Sequence, residues 1–152
     1  MNIVIAAIGR AKRGPVTELF DAYQMRLPWR VDLKEFEAKK GLPGAALKSA
    51  EAELLRSAMA RGGFTVALDE RGGEYTSEKF ATQLAKWRDA SGGRLCFAIG
   101  GADGHDPRLL ADADAKLCLG RMTWPHLLTR VLLIEQIYRA HTILTGHPYH
   151  RA

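Results

Sequence analysis

Short apolar runs rich in branched side chains recur along this chain, and between them lie stretches in which apolar residues return every three or four positions. Ile3 to Ile8 is the first run, closed by Gly9, and Phe64 to Leu68 and Leu95 to Ile99 are two more. Val31, Leu33 and Phe36 suggest a further strand, and Leu117 to Leu119 a fifth. Val16, Leu19, Phe20, Tyr23 and Leu27 follow Pro15 at helical spacing until Pro28 stops the pattern. An Ala/Leu-rich helix is expected from about Ala45 to Arg61, after an exposed basic stretch from Lys39 to Gly44. Ser77 is expected to cap a helix that buries Phe80, Leu84 and Trp87, and Pro107 to open a short one. One long helix runs from about His126 to Thr145. Strands alternating with crossover helices predict an α/β fold, a mostly parallel sheet covered by helices on both faces.

At 152 residues, 47% hydrophobic and 26% charged, the chain is expected to form a single domain over residues 1–152. Its longest apolar run is too short to span a bilayer and lacks the flanks of a signal peptide, so the expected location is the cytoplasm. Cys96 and Cys118 are expected to be buried free thiols.

In a parallel sheet, ligands bind beyond the carboxyl ends of the strands. Three loops there hold the unusual residues, 68–75, 99–106 and 119–126. In the loop Ile99-Gly100-Gly101-Ala102-Asp103-Gly104, the glycines allow positive φ and close approach of a ligand to the main chain. It matches neither the dinucleotide fingerprint nor the P-loop, and a tight turn without a ligand remains open. No nucleophile elbow occurs, which argues against hydrolysis by acyl transfer, and Asp112 and Asp114 read as solvated surface.

The formal charge of +5 is concentrated at the two ends. Residues 1–48 hold nine Lys/Arg against five acids, and residues 120–152 four against one. A polyanionic partner such as nucleic acid fits this distribution, as does a merely solvated basic surface. The tail His147-Pro148-Tyr149-His150-Arg151 places two imidazoles, an aromatic ring and a guanidinium together, suited to stacking on a base and meeting an anion, unless it is a frayed terminus. Pro148 separates the imidazoles, and no carboxylate or thiol accompanies them, so no metal is expected.

In the last helix, apolar residues from Leu127 to Leu144 occupy more than one stripe and leave a narrow polar edge near Arg130, Glu135 and Gln136. Burial on two sides is required, and a second subunit is the simplest cover, which predicts a homodimer. The alternative is a helix buried within one subunit.

Leu68-Asp69, the Gly100-Gly101-x-x-Gly104 loop, Met122-Thr123-Trp124-Pro125-His126, Glu135-Gln136-Ile137-Tyr138-Arg139-Ala140 and the terminal His-Pro-Tyr-His-Arg together resemble the ribosomal RNA large subunit methyltransferase H family of the SPOUT methyltransferases. The resemblance covers essentially the whole chain. It implies a C-terminal part threaded as a deep trefoil knot, an exception to the rarity of knots. It also implies methyl transfer from S-adenosylmethionine to N3 of a pseudouridine in the helix 69 loop of 23S ribosomal RNA, on assembled 70S ribosomes, by a homodimer. Carried onto this sequence, the cofactor contacts are Leu68, Gly101 and the loop of Gly120, Arg121, Met122, Thr123, Trp124 and Pro125, with Asp69 and Gly100 adjacent. Arg151 would stabilise the base anion, His150 or His126 accept or relay the proton, and Tyr149 position or stack. The tail of one chain would then complete a pocket formed mainly by the other. Two other readings are a noncatalytic RNA-binding module of the same fold and an α/β enzyme acting on a small phosphorylated metabolite.

Overall fold

The computed structural model describes residues 1–59 and 63–151. Strands and helices alternate as β1 (Asn2–Ile8), α1 (Pro15–Gln24), β2 (Arg30–Phe36), α2 (Gly44–Ala58), β3 (Phe64–Glu74), α3 (Ser77–Ala90), β4 (Arg94–Ile99), α4 (Pro107–Asp112), β5 (Ala115–Cys118) and α5 (His126–Leu144). The sheet has the order β2-β1-β4-β3-β5 with every neighbouring pair parallel, so all five carboxyl ends share one edge. Ile3, Ile5 and Ala7 of β1 face a core shared with α1, α3 and α5, while Ala6 and Ile8 face the one built by α2 and α4. Burial on both faces is why the strands read as continuous apolar runs instead of alternating ones. Cys96 and Cys118 are both buried.

Several boundaries differ from expectation for physical reasons. The helix α1 ends at Gln24, and Leu27 is buried from the turn beyond it. Of the helix expected to reach Arg61, Ala58 is the last residue, while Ala60 and Arg61 lie outside the described residues. The cap of α3 is Thr76, whose hydroxyl accepts from the Lys79 amide at 3.3 Å. Ser77 is instead the first helical residue, and its hydroxyl donates to Gln136 Oε1 on α5 at 3.0 Å.

The largest difference lies in β3, which continues past Leu68 to Glu74. Both Leu68 and Gly73 register with Leu117 of β5, so residues 69–72 leave the ladder as a bulge. Gly72 makes this possible, because a Cβ there would stand 2.6 Å from the Leu117 amide nitrogen. Asp69, Glu70 and Arg71 are thereby thrown out at the carboxyl edge.

Most of α5 is covered within the chain: Val131, Leu133, Ile134, Ile137, Tyr138 and Ala140 are buried in the core shared with α1, α3 and the sheet. Arg130 is not on a polar edge. It is 2% exposed, ion-paired with Glu35 of β2, and its Nη2 donates to the carbonyls of Ile8 at 2.8 Å and Gly9 at 2.6 Å. These carbonyls end β1 beneath the helix, and a guanidinium is the side chain able to satisfy several acceptors at once. The two-sided burial read from the sequence is thus met largely inside one chain, with Leu128 and Leu144 left exposed.

Candidate functional site

Beyond the carboxyl ends of β3, β4 and β5 lies a cavity of about 770 Å³. Leu68, Asp69, Gly100, Gly101, Gly120, Arg121, Met122, Thr123, Trp124 and Pro125 all line it, as does His126. Three turns distant in sequence therefore converge, each for a local reason. The β3 bulge supplies Asp69 to Arg71. A tight turn closed by the Gly104 amide on the Gly101 carbonyl at 3.1 Å supplies the second wall. The segment between the short β5 and the start of α5 supplies the third.

The glycines of the second wall act differently from expectation. Gly104, with φ +76°, takes the left-handed conformation, whereas Gly100 and Gly101 do not. Gly101 packs closely on α2: a Cβ there would lie 2.8 Å from Glu51 Oε1, so the Glu51 carboxylate would have to move aside. Burial, and then the charge of Asp103, raises the Glu51 carboxyl above the usual carboxylate range.

Asp69 is held by Arg71, whose Nε and Nη2 donate to its carboxylate at 3.0 and 3.3 Å. Burial pulls this carboxyl upward, but the hydrogen bonds and charge of Arg71, with His105, leave it below the usual range. His105, in the same turn as Gly104, is a wall of the cavity and 7% exposed. Its Nε2 has no hydrogen-bond partner among the described residues. Burial holds the imidazole below the ordinary histidine range, against the pull of Asp69 and the carbonyls of Ala98 and Leu68. His126 is also lowered, by burial and then by Arg130. Lys48, Glu70, Asp103 and Cys118 line the cavity too. Asp103 was in view in the glycine loop, but nothing in the spacing of α2 pointed Lys48 or Glu51 toward it.

Arg121 turns outward, 3.5 Å from Glu74, and Met122 and Trp124 stand 73% and 41% exposed at the rim. Among the described residues, no group of three or more side chains is arranged to hold a metal ion.

The tail lies elsewhere. The His147 amide donates to the Thr142 carbonyl at 2.8 Å, turning the chain back along α5. Tyr149 Oη donates to Glu135 Oε1 at 3.1 Å and meets Tyr23 Oη at 3.3 Å, and its ring stands 4.8 Å from that of Tyr138. Burial and these bonds raise its phenol above the usual tyrosine range, so Tyr149 remains protonated. His150 Nε2 is 2.8 Å from Glu78 Oε1 at the start of α3. Arg151 is exposed and forms no ion pair among the described residues. The expected tail residues are therefore ordered by α1, α3 and α5, and Tyr149 and His150 do not line the cavity of their own chain.

A family model described as predicted SPOUT methyltransferase matches residues 1–150. Ribosomal RNA large subunit methyltransferase H of Rhodospirillum centenum is 51% identical over 152 residues, covering the whole of both chains. The protein of that name from Paramagnetospirillum magneticum is 52% identical over 151 residues, 99% of each chain. Among solved structures, a probable methylase family protein from Haemophilus influenzae matches with a TM-score of 0.62 at 11% identity, over 99% of this chain and 71% of that one, and supports the fold alone. With a full-length family match and full-length relatives at half identity, the chain belongs to the SPOUT methyltransferases, in the ribosomal RNA large subunit methyltransferase H family.

Proposed function

We propose that this chain transfers a methyl group from S-adenosylmethionine to N3 of a pseudouridine in the helix 69 loop of 23S ribosomal RNA, on assembled 70S ribosomes and as a homodimer. The observation that carries this reading is the convergence of the three family loops on one cavity of about 770 Å³, within the roughly 300–1,000 Å³ usual for small-molecule sites. The donor set suits the cofactor. Leu68, Ile99, Leu117 and Trp124 offer apolar walls for an adenosine, while Asp69, Glu70 and Asp103 offer negative charge to a sulfonium and an ammonium. When bound, the cofactor supplies an electrophilic methyl carbon; the S–CH₃ bond breaks as the N–CH₃ bond forms.

The residues of the chain have the remaining tasks. The imide proton at N3 must leave, and His126, neutral and at the cavity wall, is suited to accept it. His150 is the second candidate. Arg151 stabilises the base anion, and Tyr149, protonated and held by Glu135 and Tyr23, positions the segment that carries Arg151. Because the tail packs away from the cavity of its own chain, it serves the cavity of the partner. Exposed Met122, Trp124 and, at 41%, Leu128 form an apolar rim suited to that contact. The passage of α5 back to the face of α1 and α3, after α4 on the opposite face, is compatible with knotted threading. A ribosomal substrate places the protein in the cytoplasm.

The test is incubation of undermethylated ribosomes with methyl-labelled donor. Label is expected at the helix 69 pseudouridine. Arg151→Ala is expected to reduce transfer at least a hundredfold, the range of a lost charge-stabilising group, with donor affinity nearly unchanged. Ribosome binding without label would favour a noncatalytic module, and product from a free phosphorylated metabolite would favour the remaining reading.

A further inference from the structure

The positive charge of the first 48 residues is not consumed by the cavity, and the fold gathers much of it in one place. β1 and β2 are parallel neighbours with Ile8 opposite Phe36, so the loops after them leave the sheet at the same edge that carries the cavity. The Gly9 amide donates to the Phe36 carbonyl at 2.7 Å and the Ala11 amide to Glu35 Oε1 at 2.9 Å, which ties the two loops together at their base. The first loop carries Arg10, Lys12 and Arg13 with no acid, and the second carries Lys39 and Lys40 against Glu37. All five cations are exposed. Glu35, the carboxylate beneath them, is occupied by Arg130.

Pairing separates these groups from other cations of the protein. Arg56, Arg71, Arg108 and Arg139 are each held by a carboxylate within 3.2 Å. Arg10 and Arg13 have neither an ion pair nor an aromatic contact among the described residues, and Lys12, Lys39 and Lys40 have no ion pair. The patch also adjoins the cavity. Gly9 packs against His126, which lines it, and Lys48 on α2, beyond the second loop, lines it as well. Like charges left this close repel one another, and a chain of phosphates relieves that repulsion while releasing its own counterions.

We propose that residues 10–13 and 39–40 form a surface that tracks the RNA phosphate backbone flanking the nucleotide delivered to the cavity. This rests on the reading of the chain as an RNA methyltransferase and adds the part that holds the polymer. Contacts of this kind position the RNA without reading its bases.

The experiment compares the full-length protein with the R10Q/K12Q/R13Q and K39Q/K40Q variants, using a fluorescein-labelled RNA hairpin across a salt series and intact undermethylated ribosomes for transfer. Hairpin affinity at physiological salt is expected to fall on the order of tenfold for the triple variant, and the salt slope to shrink by about 0.7 to 0.9 per lost phosphate contact. KM for ribosomes is expected to rise with kcat and donor affinity unchanged. An unchanged salt slope overturns the proposal. So does a loss of donor affinity in step with RNA affinity, which would make the loops structural. Weakened binding to phosphatidylglycerol vesicles with RNA binding intact also overturns it, in favour of a lipid surface. Wild-type protein that binds the hairpin with the full slope and transfers no methyl group refutes the methyltransferase reading while this surface stands; equal KM in wild type and variants refutes the surface alone.

Discussion

Gly101 and Glu51 meet where the second wall of the cavity rests on α2, and a methyl group at 101 would have to displace the Glu51 carboxylate. Gly101→Ala is expected to strain this contact, the strain being shared between the carboxylate and the loop, and to weaken S-adenosylmethionine binding by up to about tenfold, the lower part of the roughly 1–3 kcal/mol range for overpacking. Adding Glu51→Ala is expected to recover most of that loss, so calorimetry on the single and double variants measures the coupling directly. His105 gives a prediction of different kind. Its folded pKa lies below the unfolded value of about 6.5, so the neutral form contributes stability fully present above that pH and lost as pH falls toward the folded value. His126 and His141 are lowered too and share this sign, so the test is a difference. Urea midpoints followed downward from pH 7 should fall less steeply for His105→Leu than for the parent, and identical slopes would show that folding leaves the pKa of His105 unchanged. At this scale the sequence was a partial guide. Gly101 was visible as a site residue, but its partner Glu51 is fifty positions away, and the reason for the glycine is packing, which no local spacing displays.

The sheet was readable where a strand is buried on both faces, because past their exposed first residues, Asn2 and Arg94, β1 and β4 carry no charged or amide side chain. The continuation of β3 was not, since Asp69-Glu70-Arg71-Gly72-Gly73 has turn composition, and only the return of Gly73 to the register of Leu117 identifies a bulge within a strand. Arg130 misled for a related reason: a charge within an apolar helix reads as its wet edge until the carbonyls of Ile8 and Gly9 and the carboxylate of Glu35 are found facing it. That trio joins α5 to the ends of β1 and β2, so the element-scale prediction falls there. Arg130→Met removes the donors and leaves these acceptors under a helix. Unfolding free energy is expected to drop by about 3 kcal/mol, at the lower end for broken buried pairs because Glu35 keeps some contact with water. Denaturant titration checks it, and a cost below about 1 kcal/mol would mean that water replaces the guanidinium.

For the whole molecule, the decisive relation is between a tail and a cavity that one chain keeps apart. Glu135, on which Tyr149 rests, lies nine residues before the end of α5, so the tail climbs back about 14 Å along that helix toward the carboxyl edge of the sheet. His150 then meets Glu78 at the first turn of α3, leaving Arg151 exposed near that edge and separate from the cavity walls. The composition of the tail could be read from sequence, but its resting place could not, because Tyr23, Glu78 and Glu135 fix it from three different helices. If Arg151 serves the cavity of a partner, complementation follows from two-fold symmetry. Arg151→Ala has an intact cavity and a defective tail, while Gly101→Val, overpacked against Glu51, has a distorted cavity wall and an intact tail, and each homodimer is expected to be inactive. A heterodimer of the two, purified through different affinity tags, joins the intact cavity of the first chain to the intact tail of the second in one of its two sites. Methyl transfer by the purified heterodimer, at half the wild-type rate per dimer, is the expected result. A tail that acts on its own chain leaves one defect in each site, so an inactive heterodimer, or a wild-type protein that sediments as a monomer, would overturn the shared site.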